Sequence, residues 1–304
     1  MAKRDLLSIA ELSGDELLAL LDDADRMKAE PRRSTTTIAG RQVALIFEKP
    51  STRTRVSFEA AVTSMGGHAI VLRGDELQLG RGETIEDTGR VLSRYVDAIV
   101  IRTFGQDRLE RLAAAASVPV VNALSDLEHP CQALADLQTI RAAKGKLEGI
   151  SVAYVGDGNN VAHSLLLAGA RVGMNVRVAS PPGHEPFPQV VEQAQRIASD
   201  TGGMIQVGDV MVEAVFGADA VYTDVWTSMG QEDSDARRRA LEPYRIDHAI
   251  FDHAHEDAIV MHCLPAHRGE EITADVIDGP RSVVWDQAEN RLHTQKALLA
   301  WLLG

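Results

Sequence analysis

The residues QVALIF (42–47) are apolar at consecutive positions rather than alternate ones, the pattern of a strand buried on both faces of a parallel sheet. Helical spacing follows: from Val56 on, Phe58, Ala61, Val62 and Met65 define one face, Gly66-Gly67 closes it, and HAIVL (68–72) supplies the next strand. A strand, a helix and a second buried strand make a βαβ unit. The theme continues with helix 83–94, DAIVIR (97–102), helix 107–116, VPVVNA (118–123) and helix 130–143. After the short charged stretch KGKLEG (144–149), a second series runs through SVAYVGD (151–157), helix 160–172, NVRVAS (175–180), helix 187–200, MIQVG (204–208), helix 209–216 and AVYTDV (220–225). A polar segment, 227–246, precedes AIVMHCLP (258–265), and NRLHTQKALLAWLL (290–303) ends the chain as an apolar helix. An amphipathic helix at 14–30, with Leu17, Leu20, Leu21 and Ala24 on one face, precedes the first strand. The expected fold is α/β, two doubly wound parallel-sheet domains, 1–143 and 144–304, with the C-terminal helix returning to the first. A chain of 304 residues is long enough for two such cores.

Bulk properties narrow the function classes. Net charge is −13, which argues against a nucleic-acid partner, and no apolar run is long enough to span a bilayer. The N-terminus lacks the apolar stretch of a secretory signal, and the two cysteines, Cys131 and Cys263, make no disulfide framework; a cytoplasmic location is expected.

In doubly wound sheets ligands bind at the carboxyl ends of strands. FEKPSTRTRVSFEAA (47–61) sets Ser51, Thr52, Arg53, Thr54 and Arg55 at such an end and in the first turn of a helix, where backbone N–H groups and the helix dipole favour an anion. Ordinary capping by Ser51 or Thr52 explains one hydroxyl and neither arginine. No Gly-x-x-x-x-Gly-Lys-[Ser/Thr] is present, so a small phosphate-bearing ligand is expected rather than a nucleotide. Arg55 either reaches the ligand or braces the loop through a carboxylate. Arg102 ends one strand, and His129-Pro130-Cys131-Gln132 opens the helix after another, so Arg102, His129 and Gln132 can converge on one edge as donors to a carbonyl or phosphoryl oxygen.

VGDGNNVAHS (155–164) imitates a dinucleotide fingerprint. Val161 stands at its third glycine, and NVRVAS ends in Ser180 where an acid should hold a ribose, so nicotinamide binding is not expected. Asn159 and Asn160 present amide groups there, one of them as a helix cap. Asp224 ends a strand and suits a cationic ligand group, with the long polar segment after it able to close over it. MHCLPAHRGEEIT (261–273) gathers His262, Cys263 and His267 without the ligand set of a zinc site; neighbouring strand residues face opposite ways, which disfavours a Cys–His nucleophile pair. No metal and no cofactor are expected.

Taken together, FEKPSTRTR, RTFGQ, HPCQALADL, DVWTSMGQE and HCLPAHRGEEIT resemble the ornithine carbamoyltransferases of the aspartate/ornithine carbamoyltransferase family, in order and spacing along nearly the whole chain. The resemblance implies that Ser51, Thr52, Arg53 and Thr54 cradle the phosphate of carbamoyl phosphate. Arg102, His129, Pro130, Cys131 and Gln132 hold its carbonyl end. Gln78 reaches in from a neighbouring subunit of a homotrimer, while Cys263, Leu264 and Arg291 complete that site. Asn160, Asp224, Ser228 and Met229 bind the α-amino and carboxylate end of ornithine. Catalytic roles fall to Arg102, His129, Gln132 and Cys263, and arginine biosynthesis is the implied setting. One departure is Glu128, where the family pattern has an aromatic. Aspartate, putrescine or N-acetylornithine as acceptor, the catabolic ornithine enzyme, a nucleotide-dependent oxidoreductase and a non-catalytic binding protein are the competing readings.

Overall fold

The computed structural model describes residues 3–30, 36–74, 77–78, 82–227 and 234–304. These form two compact units, Met1–Ala135 with Asn290–Gly304, and Asp136–Glu289. The first unit opens with a 3-10 turn, Ile9–Glu11, and helix α1 (Gly14–Ala29), which starts on a capping box. There the Ser13 side chain accepts from Glu16 N–H and the Glu16 carboxylate from Ser13 N–H. Strand β1 (Gln42–Phe47), α2 (Thr52–Ser64), β2 (His68–Arg73), α3 (Ile85–Leu92), β3 (Ala98–Arg102), α4 (Gln106–Ala115), β4 (Val120–Leu124) and α5 (Pro130–Lys144) follow. All strand pairs are parallel and the order is β2-β1-β3-β4.

That order places a topological switch between β1 and β3, because the crossover from β1 leads to β2 on one side and that from β3 to β4 on the other. Register pairs Phe47 with Arg102, so the corner after β1 and the arginine ending β3 share the carboxyl edge. Ala44, Ile46, Ile99, Ile101, Leu109 and Leu112 fill one face of the sheet. Phe58 of α2 is fully buried, and its burial stabilises the unit by about 1.5–3 kcal/mol.

The second unit contains β5 (Ser151–Val155), α6 (Asn160–Arg171), β6 (Asn175–Ala179), α7 (Pro188–Thr201), β7 (Met204–Gly208), α8 (Met211–Val215), β8 (Ala220–Thr223), α9 (Asp235–Leu241), α10 (His248–Phe251), β9 (Ile259–His262), α11 (Ala274–Ile277) and the start of α12 (Val284–Leu303). Its parallel sheet has the order β7-β6-β5-β8-β9, with the switch between β5 and β8. The fold class is as the sequence implies, and from Asn290 onward α12 belongs to the first unit. The division by compactness falls inside α5 and α12, between Ala135 and Asp136 and between Glu289 and Asn290.

The polar segment 227–246 is not all loop: Ser234 accepts from Arg237 N–H at 3.2 Å and starts α9, and a 3-10 turn, Glu242–Tyr244, continues it. The glycines of VGDG also have a local explanation. Gly156 has φ +126°, and a Cβ on Gly158 would lie 2.2 Å from Pro186 N, so close approach of the Pro181–Pro186 loop demands glycine there without any dinucleotide. None of the described helices is long and apolar enough to cross a membrane.

Candidate active site

In the first unit the switch-point corner begins with Ser51, extended at φ −163°, whose Oγ accepts from Thr54 N–H at 3.3 Å and caps α2. No acidic residue occupies the first turn, so nothing on the helix opposes an anion at its positive end. Thr52 is exposed, Arg53 half-buried and Thr54 buried. The Thr54 hydroxyl oxygen accepts from Arg291 Nη2 (2.7 Å), and Arg291 Nη1 donates to Gln132 Oε1 (3.0 Å), which joins α2, α12 and α5 through one buried guanidinium. Arg102 is 7% exposed at the end of β3.

His129 lies among these cations. Burial pushes its imidazole well below the usual histidine range, and Arg291, Arg102 and Arg53 push it further the same way. The ring is therefore neutral at physiological pH and acts as a hydrogen-bonding group rather than a charge. Three guanidiniums acting on one neutral ring make a positive site inside a chain of net charge −13, an environment suited to a small multiply charged anion.

Other residues of the corner are engaged elsewhere. Lys49 pairs with Asp126 and stands 4.4 Å over the Phe104 ring. Glu48 accepts from Arg108 (2.7–3.1 Å) and from the Thr103 hydroxyl. Arg55 is exposed with Nε 3.6 Å from Glu59, one turn on in the same helix. An open groove of about 1120 Å³ runs beside the corner, lined in part by Ser51, Thr52, Arg55, Val56, Val71 and Phe104. Gln78 is exposed.

The Cys131 thiol is removed from any ligand. It is fully buried, donates to the Asn122 carbonyl at 3.5 Å, and is pushed up to about 12 by burial. Only its backbone N–H, in the first turn of α5, is left for binding. Cys263 is half-buried. At pH 8 iodoacetamide is therefore expected to alkylate Cys263 and leave Cys131 unmodified in the native protein, as read by peptide mass spectrometry; modification of Cys131 at a comparable rate would contradict the burial.

In the second unit Asp224, 6% exposed, follows β8 at the β5/β8 switch. Its Oδ1 accepts from Val225 N–H (2.8 Å) and the Cys263 thiol (2.9 Å), and its Oδ2 from Asn159 Nδ2 (2.9 Å). Asn159 is the cap of α6, leaving Asn160 as its first residue, half-buried. Ser228 and Met229 lie outside the described residues. Strand β9 ends at His262, so strand alternation does not extend to Cys263: His262 Nε2 meets Glu271 Oε1 (3.1 Å) and Nδ1 accepts from Leu264 N–H (2.9 Å). A nitrogen, a sulfur and a carboxylate oxygen of His262, Cys263 and Asp224 lie within 4.8 Å of one another, yet both ring nitrogens already have partners. Leu264 adopts φ +56°, a left-handed conformation uncommon outside glycine, beside the Cys263 position.

Two groups escaped the sequence reading. Tyr154 donates its hydroxyl to Asn159 Oδ1 at 3.2 Å, and Asp157 pairs with Arg237 at 2.6 Å while Arg237 Nε donates to the Trp226 carbonyl at 2.6 Å. The signal for the first was an asparagine cap after β5, three strands before the acid that follows β8. Arg237 gave none, sitting in a run of arginines that reads as solvated.

Residues 4–142 match the carbamoyl-P binding domain of aspartate/ornithine carbamoyltransferase, and residues 148–302 match its Asp/Orn binding domain. The chain is 62% identical over 307 residues to the ornithine carbamoyltransferase of Parafrankia sp., covering 100% of this chain and 97% of that one. It is 52% identical over 310 residues to the anabolic ornithine carbamoyltransferase of Pyrococcus furiosus, covering 100% and 98%. A solved structure of ornithine carbamoyltransferase from Pyrococcus furiosus superimposes with a TM-score of 0.95 at 52% identity, covering 98% of this chain and 96% of that one.

Proposed function

The chain belongs to the aspartate/ornithine carbamoyltransferase family, and on that premise we propose that it transfers the carbamoyl group of carbamoyl phosphate to the δ-amine of L-ornithine, giving L-citrulline and phosphate. The observation that carries the choice of acceptor is the buried carboxylate of Asp224. An aspartate acceptor reacts at its only amine and brings a second carboxylate that needs cations, whereas ornithine reacts at Nδ and keeps a charged α-ammonium, the group a buried carboxylate such as Asp224 meets. We further propose the biosynthetic direction, in keeping with the anabolic label of the Pyrococcus furiosus relative.

Functionally, residues 1–143 are assigned to carbamoyl phosphate and 144–304 to ornithine, in line with the matched spans 4–142 and 148–302. Ser51, Thr52, Arg53 and Thr54 hold the phosphate at the N-terminus of α2. Arg102, the neutral ring of His129 and the Gln132 amide are aimed at the carbonyl oxygen, Arg291 fixes Thr54 and Gln132 in place, and Pro130 and Cys131 act through backbone. Asp224 takes the ornithine ammonium together with Asn160, Ser228 and Met229. The roles of Cys263 and Leu264 at the carbamoyl group stay as the resemblance implies.

The step balances without a protein nucleophile. A primary ammonium has a pKa near 10.4, so ornithine first loses the δ-proton; the neutral nitrogen then attacks the carbonyl carbon, a C–N bond forms and the C–O bond to phosphate breaks. The departing phosphate takes the second proton of the nitrogen and leaves as the hydrogen phosphate dianion. Mixing the protein with carbamoyl phosphate and ornithine is expected to release citrulline and phosphate in equal amounts; phosphate without citrulline would refute the transfer.

The protein is proposed to act in the cytoplasm as a homotrimer with shared sites, Gln78 of one subunit serving the next. The groove beside Ser51 and Thr52, with its apolar Val56 and Phe104, and the exposure of Gln78 support this. Gln78→Ala and Arg102→Met subunits, each impaired alone, are expected to regain activity when dissociated and mixed. About a quarter of the sites in random trimers then combine a native Gln78 with a native Arg102. No regain would contradict sharing.

A further inference from the structure

Asn159 is 8% exposed and every polar atom of its side chain is committed. Oδ1 accepts from Val161 N–H (2.9 Å) and Ala162 N–H (3.4 Å), which caps α6, and from the Tyr154 hydroxyl (3.2 Å). Donors converging on one oxygen settle which end of the amide is which, so Nδ2 faces Asp224 Oδ2 and donates to it at 2.9 Å. We propose that Asn159 is a positioning residue for the transfer: it fixes the rotation of the Asp224 carboxylate and thereby the place where the ornithine ammonium is received. This rests on the reading of Asp224 as the ornithine contact.

The choice of side chain supports the assignment. Ser, Thr or Asp caps a helix as well as Asn does, but only Asn carries the cap acceptor and a donor for a carboxylate on separate atoms of one rigid plane. Asp224 Oδ1 is held by Val225 and Cys263, so the Asn159 donor is what keeps Oδ2 from turning. Tyr154, by seating Oδ1, sets the amide from behind. The ionisable groups around the pair are Tyr154 on β5, Tyr222 on β8, Asp136 on α5, His262 on β9, Cys263 after it, and Asp157 in the β5–α6 loop with its partners His184 and Arg237.

The test is steady-state kinetics of Asn159→Ser and Asn159→Asp, both of which retain a capping oxygen. In Asn159→Ser the ornithine KM is expected to rise about tenfold or more, with the carbamoyl phosphate KM within about twofold of wild type. In Asn159→Asp two carboxylates at hydrogen-bond distance share one proton, and only that shared form supplies the missing donor. The ratio of variant to wild-type kcat/KM for ornithine is therefore expected to fall as pH rises, a change that loss of a helix cap would not produce. Should either variant fail to fold, Tyr154→Phe removes only the backing hydroxyl and is expected to raise the ornithine KM by about threefold. An unchanged ornithine KM in Asn159→Ser, or a pH-independent ratio in Asn159→Asp, overturns this assignment alone. Absence of ornithine turnover by the wild type overturns it together with the reading it rests on.

Discussion

Replacing Arg102 by methionine is expected to lower kcat/KM for carbamoyl phosphate by about a thousandfold, most of it in kcat. Methionine keeps much of the aliphatic stem that packs at the end of β3 and deletes the guanidinium. Losing one donor aimed at a developing oxyanion costs about 10²–10³ in rate, and the charge-assisted contact to a bound anion adds to that. The same change removes one of the three cations that act on His129. Burial is the first cause of its depression and remains, so the imidazole stays neutral. The acid limb of kcat/KM for ornithine should therefore keep its wild-type shape, because it reports the substrate amine, whose neutral fraction grows tenfold per pH unit below about 10.4. A loss smaller than tenfold, by initial rates over both substrates, would remove Arg102 from the chemistry.

Asp224→Asn is expected to lower kcat/KM for ornithine by about 10²–10³, with carbamoyl phosphate binding by calorimetry unchanged. Breaking a desolvated ion pair by neutralising one partner costs about 2–5 kcal/mol. The amide also confronts the Asn159 donor with a second N–H unless it turns and abandons Val225 and Cys263. A variant that kept full kcat/KM for ornithine would sink the binding role of Asp224.

The strands and the helix-capping corner after β1 were legible because they are written in local patterns. Consecutive apolar residues mark β1, and a serine followed by a helix marks the α2 terminus, where Ser51 is indeed the cap. Contacts between distant residues were not legible. Arg291 reaches Thr54 and Gln132 across 237 and 159 residues of chain, and periodicity says nothing about such a meeting. Glu128 is similar. Where an aromatic was expected, a 2% exposed glutamate accepts from Ile9 N–H at 3.1 Å, tying the N-terminal turn to the segment that carries His129. Its partner lies 119 residues away, so the departure looked unexplained in one dimension. The short helix α9 was hidden for another reason: Arg237, Arg238 and Arg239 give no apolar face, and only Leu241 is buried. Its start depends on a serine cap and on Arg237 holding Asp157 and the Trp226 carbonyl.

The central claim is that a carbamoyl donor bound at the first switch point is matched to an acceptor chosen by Asp224. The most direct measurement is kcat/KM at fixed saturating carbamoyl phosphate for L-ornithine, L-aspartate, putrescine and N-acetylornithine, with the carbamoylated product identified by mass. Turnover concentrated on ornithine is expected. Putrescine lacks the carboxylate and N-acetylornithine lacks the α-ammonium charge, so each should fall at least about a hundredfold below it. Turnover with aspartate and none with ornithine would contradict the account.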